Sequence, residues 1–377
     1  MKSKAVNRLI ASVQATVAAM SRSASPRRAT TRTFGSMVAR PLVFGTTVAA
    51  LVGVSAVAPA QAATTLHATG SSTAVELAPA PVSGQTHTAA GVCEPRLNWY
   101  NRTQLCWKEI TTIDIYNEEG DLVGTIVFDT LQTIQLHAIG RTFGETFDIT
   151  SVIDTGEVPT GITLDFSAYC ARPCTATVDF SNGSPLAVGT GGTIAHSDAV
   201  ASGKKAATLT HYQFLPVAPD ATFTPLLWKT PTTYRCDDML KGQGAGCVFN
   251  KYAPTMTTMT QLPAIATNIK KIQTDGPGHY GRPYGKHALN RLTDQDQIDK
   301  NRNAVCSKKV TGPPPKKGES CDEYPFASTY EGGTKLSEAN RGWTWVPVGE
   351  QNKQGPRIKN FYYGNRVLDD DAFYVKV

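Results

Sequence analysis

Eight cysteines constrain what this chain can fold into more than any other feature: Cys93, Cys106, Cys170, Cys174, Cys236, Cys247, Cys306 and Cys321. They fall into four close pairs along the sequence, and an even count in an exported chain reads as disulfides. Proximity predicts Cys93–Cys106, Cys170–Cys174, Cys236–Cys247 and Cys306–Cys321, each a local staple rather than a tie between distant segments. Zinc is disfavoured, because no pair has the two-residue spacing of a zinc knuckle and no histidine pair follows at ligand distance.

Export is read from the amino terminus. Residues 1–40 hold eight basic residues and no acidic one, an apolar run extends from Pro41 to Ala58, and Ala60-Gln61-Ala62 closes it. That layout predicts a signal peptide over 1–62 and a secreted, extracellular mature chain. The rival reading is a membrane anchor, but the run is shorter than about 20 residues and carries Gly45 and Gly53.

The formal charge of +6 belongs to that leader; without it 29 basic residues face 31 acidic ones. The balance is uneven. From Lys270 to the end 18 Lys or Arg meet 13 Asp or Glu, whereas residues 63–269 hold 11 and 18. A basic last third on an acidic partner suggests that an anionic polymer meets the carboxy-terminal part.

Residues 63–90, rich in Ala, Thr, Ser and Pro, read as a flexible leader. Over 91–235 the pattern is β. Thr112–Tyr116 alternates, Asn117-Glu118-Glu119-Gly120 turns, and Leu122–Phe128 alternates again, a hairpin signature. Ile134–Ala138, Ile162–Phe166, Ala176–Phe180 and Ala207–Phe214 are further strands, and an all-β sandwich-like domain follows. Its role is a structural spacer or a surface for a cell-wall component or partner. Residues 236–270 read as a disulfide loop and linker. Over 271–377 the texture changes, giving an α+β chain overall. His287–Leu292 reads as a short helix, and Thr293 caps a second one, with Asp296 three residues on, running to about Cys306. Pro313-Pro314-Pro315 ends the helical region.

The chemistry concentrates in Cys321-Asp322-Glu323-Tyr324-Pro325-Phe326-Ala327, Glu331-Gly332-Gly333, Asn340-Arg341-Gly342 and Gly349–Gly355. Carboxylate and amide oxygens are the donors that Mg²⁺ or Mn²⁺ takes. Lys335, Arg341, Lys353 and Arg357 lie among them and suit phosphate. Phosphodiester cleavage uses that mixture of base, metal and cations. His279 sits among Gly and Pro, Trp343 and Trp345 read as core rather than a stacking platform, and Asp369-Asp370-Asp371 reads as a turn before a strand at Ala372–Val377.

In their order these motifs resemble the NucA/NucB family of secreted bacterial deoxyribonucleases, in which Asp-Glu-Trp-Pro precedes Glu-Gly-Gly and then Asp-Asn-Arg-Gly. Gly285-Lys286-His287-Ala288 and Thr293–Arg302 are similar to the family's His-containing helix and the charged helix after it. The resemblance covers about 271–377; the β-rich part has no counterpart in the small members. It implies a small ββα-metal-like nuclease domain, a non-specific endodeoxyribonuclease with DNA as substrate and Mg²⁺ or Mn²⁺ as cofactor. Carried over residue by residue, Asp322 activates water, Glu323 stands beside it and His287 is a further catalytic candidate. On a strand Asp322 and Glu323 point to opposite faces, so only one faces the metal. Glu350 and Asn352 are the implied metal ligands, with Asn340 assisting, and Arg341, Lys353 and Arg357 the substrate-binding cations. The chain departs from the pattern at Tyr324, where the family has Trp, at Cys321, where smaller members often have Arg, and at Trp343–Pro347, where they are Gly-rich. Pro347 puts the start of the ligand helix after it. The alternative from another class is a secreted protein with an inactive nuclease-like domain, whose β-rich part holds a wall component, an inhibitor or another partner.

Overall fold

A computed structural model of the chain describes residues 66–74, 78–79 and 98–377. The signal-peptide reading of 1–62 and Cys93 lie outside the described residues. All described residues fall within one compact unit, and it is α+β.

The strand-rich part is dominated by a nine-stranded sheet that curls as a half-barrel. Its centre is the predicted hairpin, longer than its sequence signature: Gln104–Tyr116 pairs antiparallel with Leu122–Gln135, which pairs with Thr142–Gly156. Burial alternates along these strands, as one wet and one dry face require. Asn117 Oδ1 closes the turn by accepting from the Asp121 amide at 2.8 Å. A four-stranded sheet, built on Thr163–Cys170, Thr210–Val217 and Leu226–Lys229, shares its core. Phe147 of the large sheet meets Phe166 of the small one at 4.2 Å between ring centres, and Phe166 meets Phe214 at 4.5 Å.

One expectation is corrected here. Leu66–Ala74, read as part of a flexible leader, is a strand paired with Gln104–Tyr116 and Ala221–Phe223. Its small residues are what permit this: Ala68 is buried in the core, and a Cβ on Gly70 would stand 1.8 Å from Leu226 Cδ2.

The carboxy-terminal part has its own hydrophobic cluster. Helix α1 (Pro263–Asp275) packs its isoleucines into it, α3 (Val348–Gly364) adds Ile358, Phe361 and Tyr362, and α2 (Gln295–Cys306) lies against the neighbouring hairpin. Between α2 and α3 in sequence lies a two-stranded hairpin, Glu319–Tyr324 against Gly342–Pro347. Helix α2 ends where predicted, but its cap is Asp294, which accepts from the Gln297 amide at 3.1 Å, not Thr293. The short helix expected at His287–Leu292 is absent. Leu289-Asn290 instead pairs with Ala372-Phe373 of the closing strand, which buries Leu289 completely. Pairing against a fixed neighbour overrides local helix preference. Helix α1 lies where a linker was expected; Pro263 opens it, and Ile265, Ile269 and Ile272 bury one face.

Three of the predicted disulfides are present: Cys170–Cys174, Cys236–Cys247 and Cys306–Cys321. Cys106 is also disulfide-bonded. No helix among the described residues is long and apolar enough to cross a membrane. The disulfides are consistent with an extracellular protein.

Candidate active site

The Glu319–Tyr324 strand carries the acidic pair. In its register Asp322 faces Thr344 and Glu323 faces Trp343 across the hairpin, and the two acids take opposite faces. The Asp322 face is covered by α1 and α3. Asn268 Nδ2 of α1 donates to Asp322 Oδ2 at 3.1 Å, and Gln354 Nε2 of α3 donates to Oδ1 at 2.7 Å. With both oxygens held and 1 % of the residue exposed, Asp322 is sealed from solvent. Burial pushes its pKa up to about 6; the two amides oppose the rise and the Glu350 charge adds to it.

Glu323 lines a cavity of about 930 Å³ to which α2, the hairpin and α3 all contribute. Arg291, Arg302, Lys308 and Lys359 line the same cavity. The Glu323 pKa is raised to about 7, first by burial, then by the Asp322 charge behind it, against the pull of Arg302. Arg302 Nε stands 3.8 Å from Glu323 Oε1. The Cys306 sulfur lies 3.1 Å from Glu323 Oε2, and its bond to Cys321 ties the end of α2 to the strand that carries the acids. A carboxyl poised near neutrality, in a cavity with four cations, has the proton affinity of a general base at physiological pH.

Oxygen donors extend from Asp322 along α3. Gln351 Nε2 donates to Gln354 Oε1 at 3.2 Å, while Gln351 Oε1 is buried without a partner, as is Glu319 Oε2. Both of these residues line the cavity. Orphaned buried oxygens are costly unless something completes them. A hard divalent cation suits them, and Mg²⁺ keeps several waters, so few protein ligands suffice. Cys306, Cys321 and Glu323 also converge within 4.8 Å, as do Cys170, Cys174 and His196. In both groups the sulfurs are spent in disulfides and offer no thiolate.

The other residues singled out in the sequence lie elsewhere. Glu350 does not face the cavity: its carboxylate accepts from the Ala264 and Ile265 amides at 3.0 and 3.2 Å, capping α1, whose own N-cap Leu262 supplies no side-chain acceptor. Asn352 and Lys353 are exposed on α3 and line no described cavity. Asn340 ties a loop, accepting from the Gly278 amide at 2.7 Å, and Arg341 Nε donates to the Leu336 carbonyl at 3.0 Å. Arg357 donates to the Thr258 carbonyl. His287 lines a different recess and stacks on Tyr280 at 4.7 Å. Asn268, Arg291 and Arg302 were not selected from sequence, and Gln351 and Gln354 entered only as members of the Gly349–Gly355 stretch. A buried asparagine on the isoleucine face of α1 was the available signal, and it needed the helix to be seen first.

Comparison with known proteins comes down to one finding. Residues 283–376 match the sequence model of the family Deoxyribonuclease NucA/NucB. The match takes in the hairpin, α2, α3 and the closing strand, and it leaves α1 and the β-rich part outside. No curated protein and no solved structure matches the chain.

Proposed function

We propose, from the deoxyribonuclease family of residues 283–376, that the protein is a secreted, metal-dependent endodeoxyribonuclease that cuts DNA without sequence preference in the cavity at Glu323. The observation that carries the reading is the coincidence of that match with one cavity holding a buried carboxyl of pKa about 7 among cations. Glu323 takes a proton from water, the resulting hydroxide attacks phosphorus, the bond from phosphorus to the leaving oxygen breaks, and that oxygen takes a proton from solvent while Glu323 releases its own to the medium. Arg302, Lys308 and Lys359 hold the phosphates on either side. Asp322 does not touch substrate; from behind the strand it raises the basicity of Glu323. Glu319 Oε2 and Gln351 Oε1, the two orphaned oxygens of the cavity, are the donors suited to hold a divalent cation, which when bound would neutralise charge on the scissile phosphate and leaving oxygen.

The test is incubation of the purified mature chain with plasmid DNA and Mg²⁺ or Mn²⁺, with and without chelator. Loss of supercoiled DNA that the chelator stops is the expected result. Intact plasmid under both metals overturns the reading and favours a binding role for the same surface.

A further inference from the structure

The carboxy-terminal part carries a second basic surface that the cutting cavity does not use. A recess of about 560 Å³ is formed by residues 277–279 and 282–287, and a smaller one of about 280 Å³ shares Arg282, Pro283 and Tyr284 with it. Lys286, His279 and His287 line the first; Lys270 and Lys376 line the second. No Asp or Glu side chain lines either, and no residue of either lines the Glu323 cavity. Tyr284 lies between the two recesses with 72 % of its surface exposed.

The loop that builds this surface is fixed in place. Gly278 donates its amide to Asn340 Oδ1 at 2.7 Å, Gly281 donates to the His287 carbonyl at 2.8 Å, and Val375 donates to the Gly281 carbonyl at 2.7 Å. His279 Nδ1 meets the Gln273 carbonyl at 2.7 Å, which leaves its other ring nitrogen free of that tie. His279 and Tyr284 both hold positive φ, 46° and 60°, a conformation that non-glycine residues adopt at a cost. The fold thus holds a large aromatic ring outward between Arg282 and Lys286 at some expense. Cations alternating with an exposed ring are what binds a nucleic-acid strand without reading its sequence: the cations neutralise phosphates and the ring stacks on a base.

We propose that Arg282, Tyr284 and Lys286 form a DNA-binding surface separate from the cutting cavity, which holds a single-stranded or locally opened stretch of the substrate. This rests on the reading of the protein as a DNA nuclease, and its test is separable from that reading. Binding of the purified mature protein to a short labelled oligonucleotide is measured by fluorescence anisotropy in chelator, across a salt series. Arg282→Ala/Lys286→Ala is expected to bind single-stranded DNA about tenfold more weakly and to flatten the log K against log salt slope by about 1.4. Tyr284→Ala is expected to weaken single-stranded DNA about tenfold with the slope unchanged, the mark of lost stacking rather than lost charge. All three side chains are exposed, so melting temperatures should match the parent. If the double variant keeps the parent's affinity and slope, or the parent binds no DNA, the proposal is overturned. A parent that binds in chelator but cuts nothing when metal is added would instead overturn the nuclease reading, and the binding comparison would stand.

Discussion

Which of two adjacent carboxylates opens on the cavity is decided by what covers each face of one strand. The alternation rule separates Asp322 from Glu323 in sequence, but choosing between them needs the positions of α1 and α3. Asn268 and Gln354 close off Asp322, while α2 leaves Glu323 open to the cavity. Glu323→Gln is therefore expected to reduce kcat/KM by at least about a hundredfold. On the proposed mechanism the base works deprotonated, so the parent's rate is expected to rise with pH through about 7 and then level. Asp322→Asn removes the like charge that raises Glu323, so the acid limb of the kcat/KM profile should move to lower pH with activity retained. The reverse outcome, activity lost in Asp322→Asn and kept in Glu323→Gln, would return the base to Asp322. The same shift has a consequence for stability. A carboxyl whose folded pKa is raised favours the folded state below its unfolded pKa and loses that advantage as pH rises through the folded value. Glu323→Gln should accordingly raise the melting temperature more at about pH 8 than at about pH 5, as thermal denaturation at the two values will show.

Among the secondary-structure elements, α1 shows why part of the site was hidden in the sequence. Its apolar stripe is short, with Asn268 inside it and Lys270-Lys271 beside it, so the segment read as linker. The start of α3 was legible because Pro347 fixes where it begins, and the closing strand because Asp369–Asp371 turns into an alternating run. Leu289-Asn290 was not legible, because its partner strand lies over eighty residues away in sequence. Glu350 shows the same dependence: on α3 alone it reads as a metal ligand, and its contact with the α1 amides is visible only once α1 is placed. Its carboxylate holds two amides of the first turn and sits at the positive end of the helix dipole. Glu350→Ala is expected to destabilise the fold by about 1–2 kcal/mol, seen as a lowered melting temperature. Cleavage at saturating metal should be unchanged, because the cap lies outside the cavity. A variant of parental stability that requires far more metal to cut would make Glu350 a ligand after all.

Across the whole molecule, the two hydrophobic clusters are joined by a buried charge network with no sequence signature. Arg102 and Arg235 from the β-rich part converge on Asp371, at 2.9 and 2.7 Å, while Arg366 reaches back to Asp237 at 2.5 Å. Arg366 also donates to the backbone carbonyls of Ala138, Gly244 and Asp237, and both Arg102 and Arg235 donate to its own carbonyl. These residues are scattered from 102 to 371, and each alone reads as an ordinary surface charge. Arg366 and Asp237 are both fully buried, so the pair depends on its own completeness. Arg366→Met leaves Asp237 only the longer contacts with Arg235 and the Met239 amide and should cost about 3–5 kcal/mol, the penalty of breaking a buried ion pair. Since the same side chain spans both parts, calorimetry should show the single transition of the parent splitting in two, the carboxy-terminal part melting apart from the β-rich one. Adding Asp237→Asn removes the stranded charge and should recover part of the lost stability without restoring one transition, because the carbonyl contacts of Arg366 remain missing. A single transition at the parental temperature in Arg366→Met would mean that the β-rich part and the carboxy-terminal part are held together by packing alone.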